Sequence, residues 1–210
     1  MRLPISAAFL AIALAATPAA APPGAPRTLV FFGDSLTAGY GLEDPANDAY
    51  PALIQRRIDA AGLHWRVVNA GLSGETSAGG LRRVEWVLRQ PVDIFVLALG
   101  SNDGLRGIDP AATRANLAAI IRRVRATQPA ARIVLVGMRV PTNMGDDYER
   151  AFAGIFPRVA SEEGVALIPF LLEGVGGRPE LNQADGMHPT AAGHQIVADT
   201  LWRTLQPLLK

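Results

Sequence analysis

Ser35 lies where a strand of an α/β fold would end. Residues 29–32 are apolar, and the chain then turns through Gly33 and Asp34 into Ser35. A buried parallel strand brings the residue that follows it to the carboxyl edge of the sheet, which is where such folds place their sites. Ser35 is therefore a candidate nucleophile, although a serine in this position can also serve only as a helix cap.

His188 and Asp185 could activate such a serine. A serine hydroxyl becomes a good nucleophile when a base removes its proton, and the imidazole base needs a partner that fixes its tautomer and stabilises its cation. Asp185 precedes His188 by three residues, which puts both side chains on one face of a tight turn or first helical turn. The pair could also be a helix cap and an ordinary helix start, because Pro189 follows. The other histidines, His64 and His194, are expected to have no catalytic role.

Three further groups could stabilise the negative oxygen of a tetrahedral intermediate. They are the peptide N–H groups of Ser35 and Gly74 and the side-chain amide of Asn102. Losing one such donor typically costs about a hundred- to a thousandfold in turnover. Gly74 could instead only permit a positive φ angle, and Asn102 could only form a turn. Gly71 is the alternative donor in the second segment, and Asp34 is expected to be structural.

The elements that must position these residues alternate along the chain. Apolar runs rich in β-branched and large side chains predict five strands. Amphipathic segments between them predict five main helices, of which the fourth should be kinked or shortened by Pro157. The predicted strands are residues 28–32, 65–69, 93–99, 132–138 and 165–170, and the predicted helices are residues 49–61, 77–89, 110–127, 146–163 and 190–208.

This alternation predicts an α/β domain whose five-stranded parallel sheet is covered by helices on both faces. The carboxyl ends of all five strands then meet at one edge. Four polar, glycine-bearing segments reach that edge, and they are residues 33–36, 69–76, 100–103 and 185–189. Together they supply a nucleophile, a base, its orienting acid and hydrogen-bond donors for an oxyanion.

The first residues are expected to be a targeting segment and not part of the fold. Arg2 gives a positive start, residues 3–16 are almost entirely apolar, and small residues follow. We therefore predict a cleavable signal peptide over residues 1–21, a Pro-rich leader over 22–26 and the catalytic domain over 27–210. Such a protein is exported to the periplasm or secreted, with no stable membrane insertion after the signal is removed.

Charge and cysteine content exclude several function classes. The chain of 210 residues has 20 Lys and Arg against 19 Asp and Glu, so loss of Arg2 leaves 19 of each sign and no basic field for nucleic acid. The chain contains no cysteine, which excludes a thiol nucleophile and cysteine-ligated metals. A domain of about 185 residues can rely on its core without disulfides.

The four segments resemble the sequence blocks of a known family, the SGNH (GDSL-type) hydrolases. All four occur in order and span nearly all of the chain after the predicted signal. Within the family, the chain is most similar to the bacterial exported branch of thioesterases, lysophospholipases and arylesterases. The matching residues are Gly33-Asp34-Ser35-Leu36, Ser73-Gly74-Glu75-Thr76, Gly100-Ser101-Asn102-Asp103 and Asp185-Gly186-Met187-His188-Pro189.

The resemblance implies a three-layer α/β/α fold and a serine hydrolase that needs no cofactor and no metal. Ser35 would be the nucleophile, His188 the base and Asp185 its orienting acid. The N–H groups of Ser35 and Gly74 and the amide of Asn102 would form the oxyanion hole. The substrate would be a small acyl ester or thioester.

Two loops are expected to line the acyl group. Their apolar side chains suit a short or medium acyl chain, and the four residues are Leu105, Ile108, Val140 and Met144.

Other functions compete with this interpretation. A carbohydrate O-acetyl esterase on the same fold is the closest alternative, but aromatic residues for a sugar platform are only 6% of the chain. A flavodoxin-like module could hold phosphate in the loop after its first strand, yet it has no need for Asp185, His188 and Asn102. A conventional α/β-hydrolase is disfavoured because Ser35 lacks the second glycine of the G-x-S-x-G turn.

Overall fold

The core of the fold is a sheet of five parallel strands. The structure is a computed structural model that describes residues 24–210, apart from the side chain of Thr142. The strands of that range lie side by side in the order second, first, third, fourth, fifth, and every pair is parallel. In chain order they are β1 (Arg27–Gly33), β2 (Trp65–Gly71), β3 (Ile94–Ala98), β4 (Arg132–Val136) and β5 (Ala166–Ile168).

Nine α-helices accompany this sheet in residues 24–210. Five have at least nine residues, and the four others are shorter and lie near the carboxyl edge or in connections. The longer helices are α3 (Tyr50–Ala60), α4 (Ser77–Val87), α6 (Pro110–Thr127), α8 (Ile155–Glu163) and α9 (Ala191–Leu205). The shorter ones are α1 (Ser35–Ala38), α2 (Pro45–Asp48), α5 (Ser101–Leu105) and α7 (Asp146–Ala153).

Helices cover both faces of the sheet. α4, α6 and α8 pack side by side, and α3 packs against α9. Right-handed crossovers place α3, which connects β1 to β2, on one face of the sheet. They place α4, α6 and α8, which connect β2 through β5, on the opposite face. Every residue of β3 is buried, as are six of the seven residues of β1, because both strands are enclosed on two sides. The predicted three-layer α/β/α fold is confirmed.

The structure corrects the bounds of several elements. β4 ends at Val136 and β5 at Ile168, because beyond them only single backbone bonds through Gly137 continue the ladder. Gly137 and Met138 are buried in a loop, whereas Pro169 is exposed and Phe170 is half-buried. The predicted helix over 146–163 is two helices that meet at Gly154, and Pro157 lies in the first turn of α8, where its missing N–H removes no helical hydrogen bond. The signal peptide predicted for residues 1–21 and part of the leader lie outside the described residues.

No helix of the described chain combines the length and apolar character needed to cross a membrane.

Buried polar contacts fix α1 on the domain. The hydroxyl groups of Thr37 and Tyr50 share a hydrogen bond, and the backbone N–H of Tyr50 donates to Nδ1 of His194 at 3.2 Å. Tyr50 also meets Phe31 of β1 edge to face. His194 therefore serves as a neutral acceptor. Its side chain holds the backbone of Tyr50, and the hydroxyl of Tyr50 in turn bonds Thr37 of α1.

Burial makes His194 sensitive to acid. The imidazole is 1% exposed, and burial, with a smaller effect from the charge of His188, lowers the pKa of His194 to about 4. Because an imidazole in the unfolded chain has a pKa near 6.5, the unfolded state binds this proton first. The stability contributed by His194 is complete above pH 6.5 and is lost as the pH falls to 4.

We predict that His194→Asn removes this dependence, since the Asn oxygen can still accept from the Tyr50 amide. Relative to the variant, the parent should lose about 3 kcal/mol in its free energy of unfolding between pH 7 and pH 4. Urea unfolding of both proteins at several pH values measures this difference. Subtracting the free energy of unfolding of the variant from that of the parent cancels the opposite contribution of other buried acids, which both proteins share. A difference that does not change with pH would contradict the prediction.

Candidate active site

The hydroxyl of Ser35 is presented by a short helix that begins directly after β1. Ser35 is the first residue of α1, and the side chain of Asp34 caps that helix by accepting from the Leu36 N–H at 3.0 Å. Gly33 makes the turn possible, because a Cβ atom there would lie 1.9 Å from Oγ1 of Thr37. The N–H of Ser35 is in the first turn of its helix and has no intrahelical acceptor, so it is free to serve a substrate.

The structure brings His188 to this serine although the two are far apart in sequence. Nε2 of His188 lies 2.9 Å from Oγ of Ser35, and Nδ1 of His188 lies 2.6 Å from Oδ2 of Asp185. When Nδ1 carries the proton and donates to Asp185, Nε2 has a lone pair directed at the Ser35 hydroxyl. This is the geometry of a nucleophile, a base and an orienting acid.

Asp185 is held in its ionised form by its own turn. Its Oδ1 accepts from the N–H groups of Met187 at 2.9 Å and His188 at 3.0 Å. These two bonds, followed by the bond to the imidazole, lower the pKa of Asp185 to about 2. One oxygen therefore fixes the loop and the other faces the imidazole.

A tight turn presents the N–H of Gly74. The N–H of Glu75 donates to the carbonyl of Leu72 at 3.1 Å, and Gly74 has a φ of 78° in the third position of that turn. Because Ser73 has no positive φ, the turn is type II, which requires glycine or asparagine at this position. Among residues 24–210, no group accepts a hydrogen bond from the Gly74 N–H.

Gly71, the alternative donor, has a different role. Its N–H donates to the side chain of Asn69 at 3.0 Å. A Cβ atom on Gly71 would lie 2.3 Å from the backbone nitrogen of Ala38, so this glycine lets α1 approach β2 closely.

Asn102 faces the same region from α5. Its Nδ2 donates to the carbonyl of Glu75 at 3.1 Å and to Oδ2 of Asp34 at 3.5 Å, and the longer bond is the weaker of the two. The guanidinium of Arg106 donates to the carbonyl of Gly74 at 3.0 Å. The Gly74 turn is thus tied at two points to the segment that carries Asn102.

Sequence reasoning gave no role to Asp103, which is a buried junction between helices. The carboxylate accepts from the N–H of Ser77 at 2.8 Å and from the hydroxyl groups of Ser77 and Thr113. It therefore joins α5, α4 and α6 beneath the Gly74 turn and Asn102. The only sequence signal was a lone acid after Asn102, and nothing in its spacing indicates burial.

Asp34 is fully buried beside the site. Burial raises the pKa of Asp34 to about 6, although the Leu36 N–H and the charge of His188 favour its ionised form. Its position as a helix cap agrees with a structural role.

The predicted acyl-site residues are brought together but differ in exposure. Leu105 is 44% exposed, whereas Val140 is 7% exposed and packs where a Cβ on Gly104 would lie. Ile108 and Met144 are half-buried. Leu105, Ile108 and Met144 therefore have surface to offer a ligand, and Val140 supports them from below.

Comparison with known proteins gives a consistent assignment. Residues 31–196 match the model of the GDSL-like Lipase/Acylhydrolase family. The chain is 41% identical to the esterase TesA of Pseudomonas aeruginosa over 210 residues, which is all of both chains. It is 40% identical over 183 residues to thioesterase 1/protease 1/lysophospholipase L1 of Escherichia coli K12, covering 87% of this chain and 85% of that protein.

A crystal structure of TesA has the same fold, with a TM-score of 0.82 and 43% sequence identity over 87% of this chain and 100% of that one. The chain therefore belongs to the GDSL-like lipase/acylhydrolase family of SGNH hydrolases, and it is a carboxylic ester hydrolase.

Proposed function

We propose that this protein hydrolyses small acyl esters and thioesters through an acyl-enzyme on Ser35. The observation that carries the proposal is the hydrogen-bonded series from Ser35 through His188 to Asp185, with distances of 2.9 and 2.6 Å. The esterase and thioesterase names of the relatives support the same chemistry.

The first half of the reaction forms the acyl-enzyme. Oγ of Ser35 attacks the substrate carbonyl carbon as its proton moves to Nε2 of His188. The carbonyl oxygen becomes an oxyanion. It accepts hydrogen bonds from the N–H groups of Ser35 and Gly74 and the amide of Asn102. The intermediate collapses, the bond to the alcohol or thiol breaks, and the leaving group takes the proton from Nε2.

The second half restores the enzyme. A water molecule gives a proton to Nε2 of His188 and attacks the acyl carbon, which forms a second oxyanion in the same hole. Breakage of the bond to Oγ then releases the carboxylic acid, and the proton returns to Ser35. Asp185 keeps its charge throughout and stabilises the imidazolium that forms twice per cycle.

The border of the site suits an apolar substrate. Five large apolar side chains are exposed in residues 24–210, and only Trp86 is remote from the catalytic segments. The other four are within five residues of a proposed catalytic or oxyanion residue in the sequence: Tyr40, Leu72, Leu105 and Met187. An acyl chain that contacts Leu105, Ile108 and Met144 would bury part of this surface, which favours apolar acyl groups.

The protein is proposed to act outside the cytoplasm. Residues 1–21 have the charge and apolar pattern of a cleavable signal. N-terminal sequencing of the protein recovered from the periplasm or the medium would test export and identify the cleavage bond.

We predict that Ser35→Ala abolishes hydrolysis of p-nitrophenyl esters while the protein remains folded. The substitution removes the atom that forms the acyl-enzyme and leaves the core untouched. Initial rates with esters of graded chain length test this, with circular dichroism as the control for folding. A phosphonate probe should label the Ser35 peptide of the parent only, and turnover by folded Ser35→Ala would overturn the mechanism.

Asp185→Asn should lower kcat by about 10³–10⁴-fold with a smaller effect on KM. An amide can still accept from the N–H groups of Met187 and His188, but its NH₂ group cannot accept the proton on Nδ1 and cannot stabilise an imidazolium. Steady-state kinetics of the purified variant would separate the two parameters. A change confined to KM would make Asp185 only a loop cap.

Gly74→Ala should lower kcat by about a hundredfold, because a side chain is strained at a φ of 78° and the turn would rotate the 73–74 peptide away from the substrate. Gly62→Ala is the matched control, since Gly62 has a φ of 66°, lies in an exposed turn away from the catalytic segments and donates its N–H to the carbonyl of Asp59. Equal losses of kcat in the two variants would assign the effect to general strain.

A further inference from the structure

Tyr40 is an exposed aromatic residue that contacts the proposed catalytic base. It follows Gly39, which ends α1, and 55% of its surface is exposed. Its ring centroid nevertheless lies 4.8 Å from that of the His188 imidazole, with the two planes inclined by 47°. The distance is within the range in which aromatic rings attract one another.

Gln183 holds this pair together. Its side-chain amide donates to the carbonyl of Tyr40 at 2.7 Å and to the carbonyl of Pro189 at 3.1 Å. Its backbone N–H donates to the carbonyl of His188 at 2.7 Å. Gly41 makes room for this bridge, because a Cβ there would lie 2.0 Å from Oε1 of Gln183. The loop after α1 and the loop before α9 are thereby fixed to each other.

The Tyr40 ring therefore meets an imidazole whose two nitrogens are already occupied. Nδ1 of His188 faces Asp185 and Nε2 faces Ser35, so Tyr40 can contact the ring without competing for either nitrogen. The titratable groups near the imidazole from the elements around it are Asp185 in its own loop, Asp34 below α1 and His194 in α9. A ring face attracts a cation more strongly than a neutral group.

We propose that Tyr40 is a positioning residue that orients the His188 imidazole toward Ser35 and stabilises the imidazolium formed during acyl transfer. This inference rests on the proposed function. Because the imidazolium exists only after proton transfer, the contact strengthens along the reaction and acts on kcat more than on KM. The side chain of Gln183 acts one step further back, since it bonds the carbonyl groups of Tyr40 and Pro189 and does not contact the imidazole itself.

The kinetic test compares three side chains at position 40. Tyr40→Phe keeps the ring and should retain the parent kcat within about twofold, whereas Tyr40→Leu should lose about three- to tenfold in kcat with little change in KM. The acid limb of kcat/KM should move to lower pH in Tyr40→Leu only. Trp86→Leu, which removes an exposed aromatic side chain from α4, is the control for general surface effects.

A spectroscopic measurement reports on the contact without using activity. The chain has three histidines, so the His188 Hε1 proton resonance can be assigned with His188→Gln. In Tyr40→Leu this resonance should lose its ring-current shift and titrate at lower pH, and in Tyr40→Phe it should not. If the parent has no esterase activity, the proposed function fails, and this titration still decides whether Tyr40 stabilises the imidazolium.

Double substitution tests the route through Gln183. Gln183→Ala should lower kcat in the same direction as Tyr40→Leu, and combining the two should add little, because both act through one contact. The proposal is overturned if Tyr40→Leu keeps the parent kcat and titration, if only KM rises, if Tyr40→Phe loses as much as Tyr40→Leu, or if the double variant shows full additivity.

Discussion

The proposed chemistry depends on one contact, the 2.9 Å approach of His188 to Ser35 across 153 residues of chain. A hydrogen bond weakens steeply as its distance and angle depart from the optimum, so its two ends must be fixed by separate parts of the fold. Ser35 is fixed by the end of β1 and the capped α1. His188 is fixed by the Asp185 turn and by the pairing of its loop with Gln183. The parallel sheet makes this possible because all its strands deliver their following residues to one edge.

The oxyanion donors need a second kind of restraint, because they lie in loops with no sheet pairing. The Gly74 turn is held through carbonyl groups, since Arg106 donates to Gly74 and Asn102 donates to Glu75. These bonds leave the N–H of Gly74 uncommitted, while the second hydrogen of Asn102 makes only the long 3.5 Å bond to Asp34. Asp103 supports both segments from the interior through Ser77. A prearranged set of donors avoids the reorganisation that water would need as charge develops on the substrate.

The sequence predicted the sheet and the positions of the catalytic candidates well, because both follow from local pattern. Continuous apolar runs identify strands buried on two faces, and polar glycine-bearing segments identify the edge. The signals that failed were of two kinds. The apolar residues after β4 and β5 lie in loops, and hydrophobicity alone cannot distinguish such residues from the continuation of a strand. The four-residue α1 is little more than one helical turn, which is too short for an amphipathic repeat to show in the sequence.

Contacts between distant side chains were beyond sequence reasoning for a different reason. Tyr40 and Gln183 are unremarkable in their own segments, and their roles arise only when the fold places them beside His188. The same holds for Asp103, whose burial depends on three helices meeting. A local pattern reports the environment of a segment, whereas these residues are defined by their partners.

Two buried titratable groups near the site, Asp34 and His194, have opposite effects on stability as the pH falls. Burial raises the pKa of Asp34 to about 6 and lowers the pKa of His194 to about 4. The folded state therefore binds more protons at Asp34 than the unfolded state between about pH 4 and 6, which stabilises the fold as the pH falls. At His194 it binds fewer protons, which destabilises the fold over an overlapping range. Because the two contributions have opposite signs, together they make the free energy of unfolding less dependent on pH in mild acid than either group would alone.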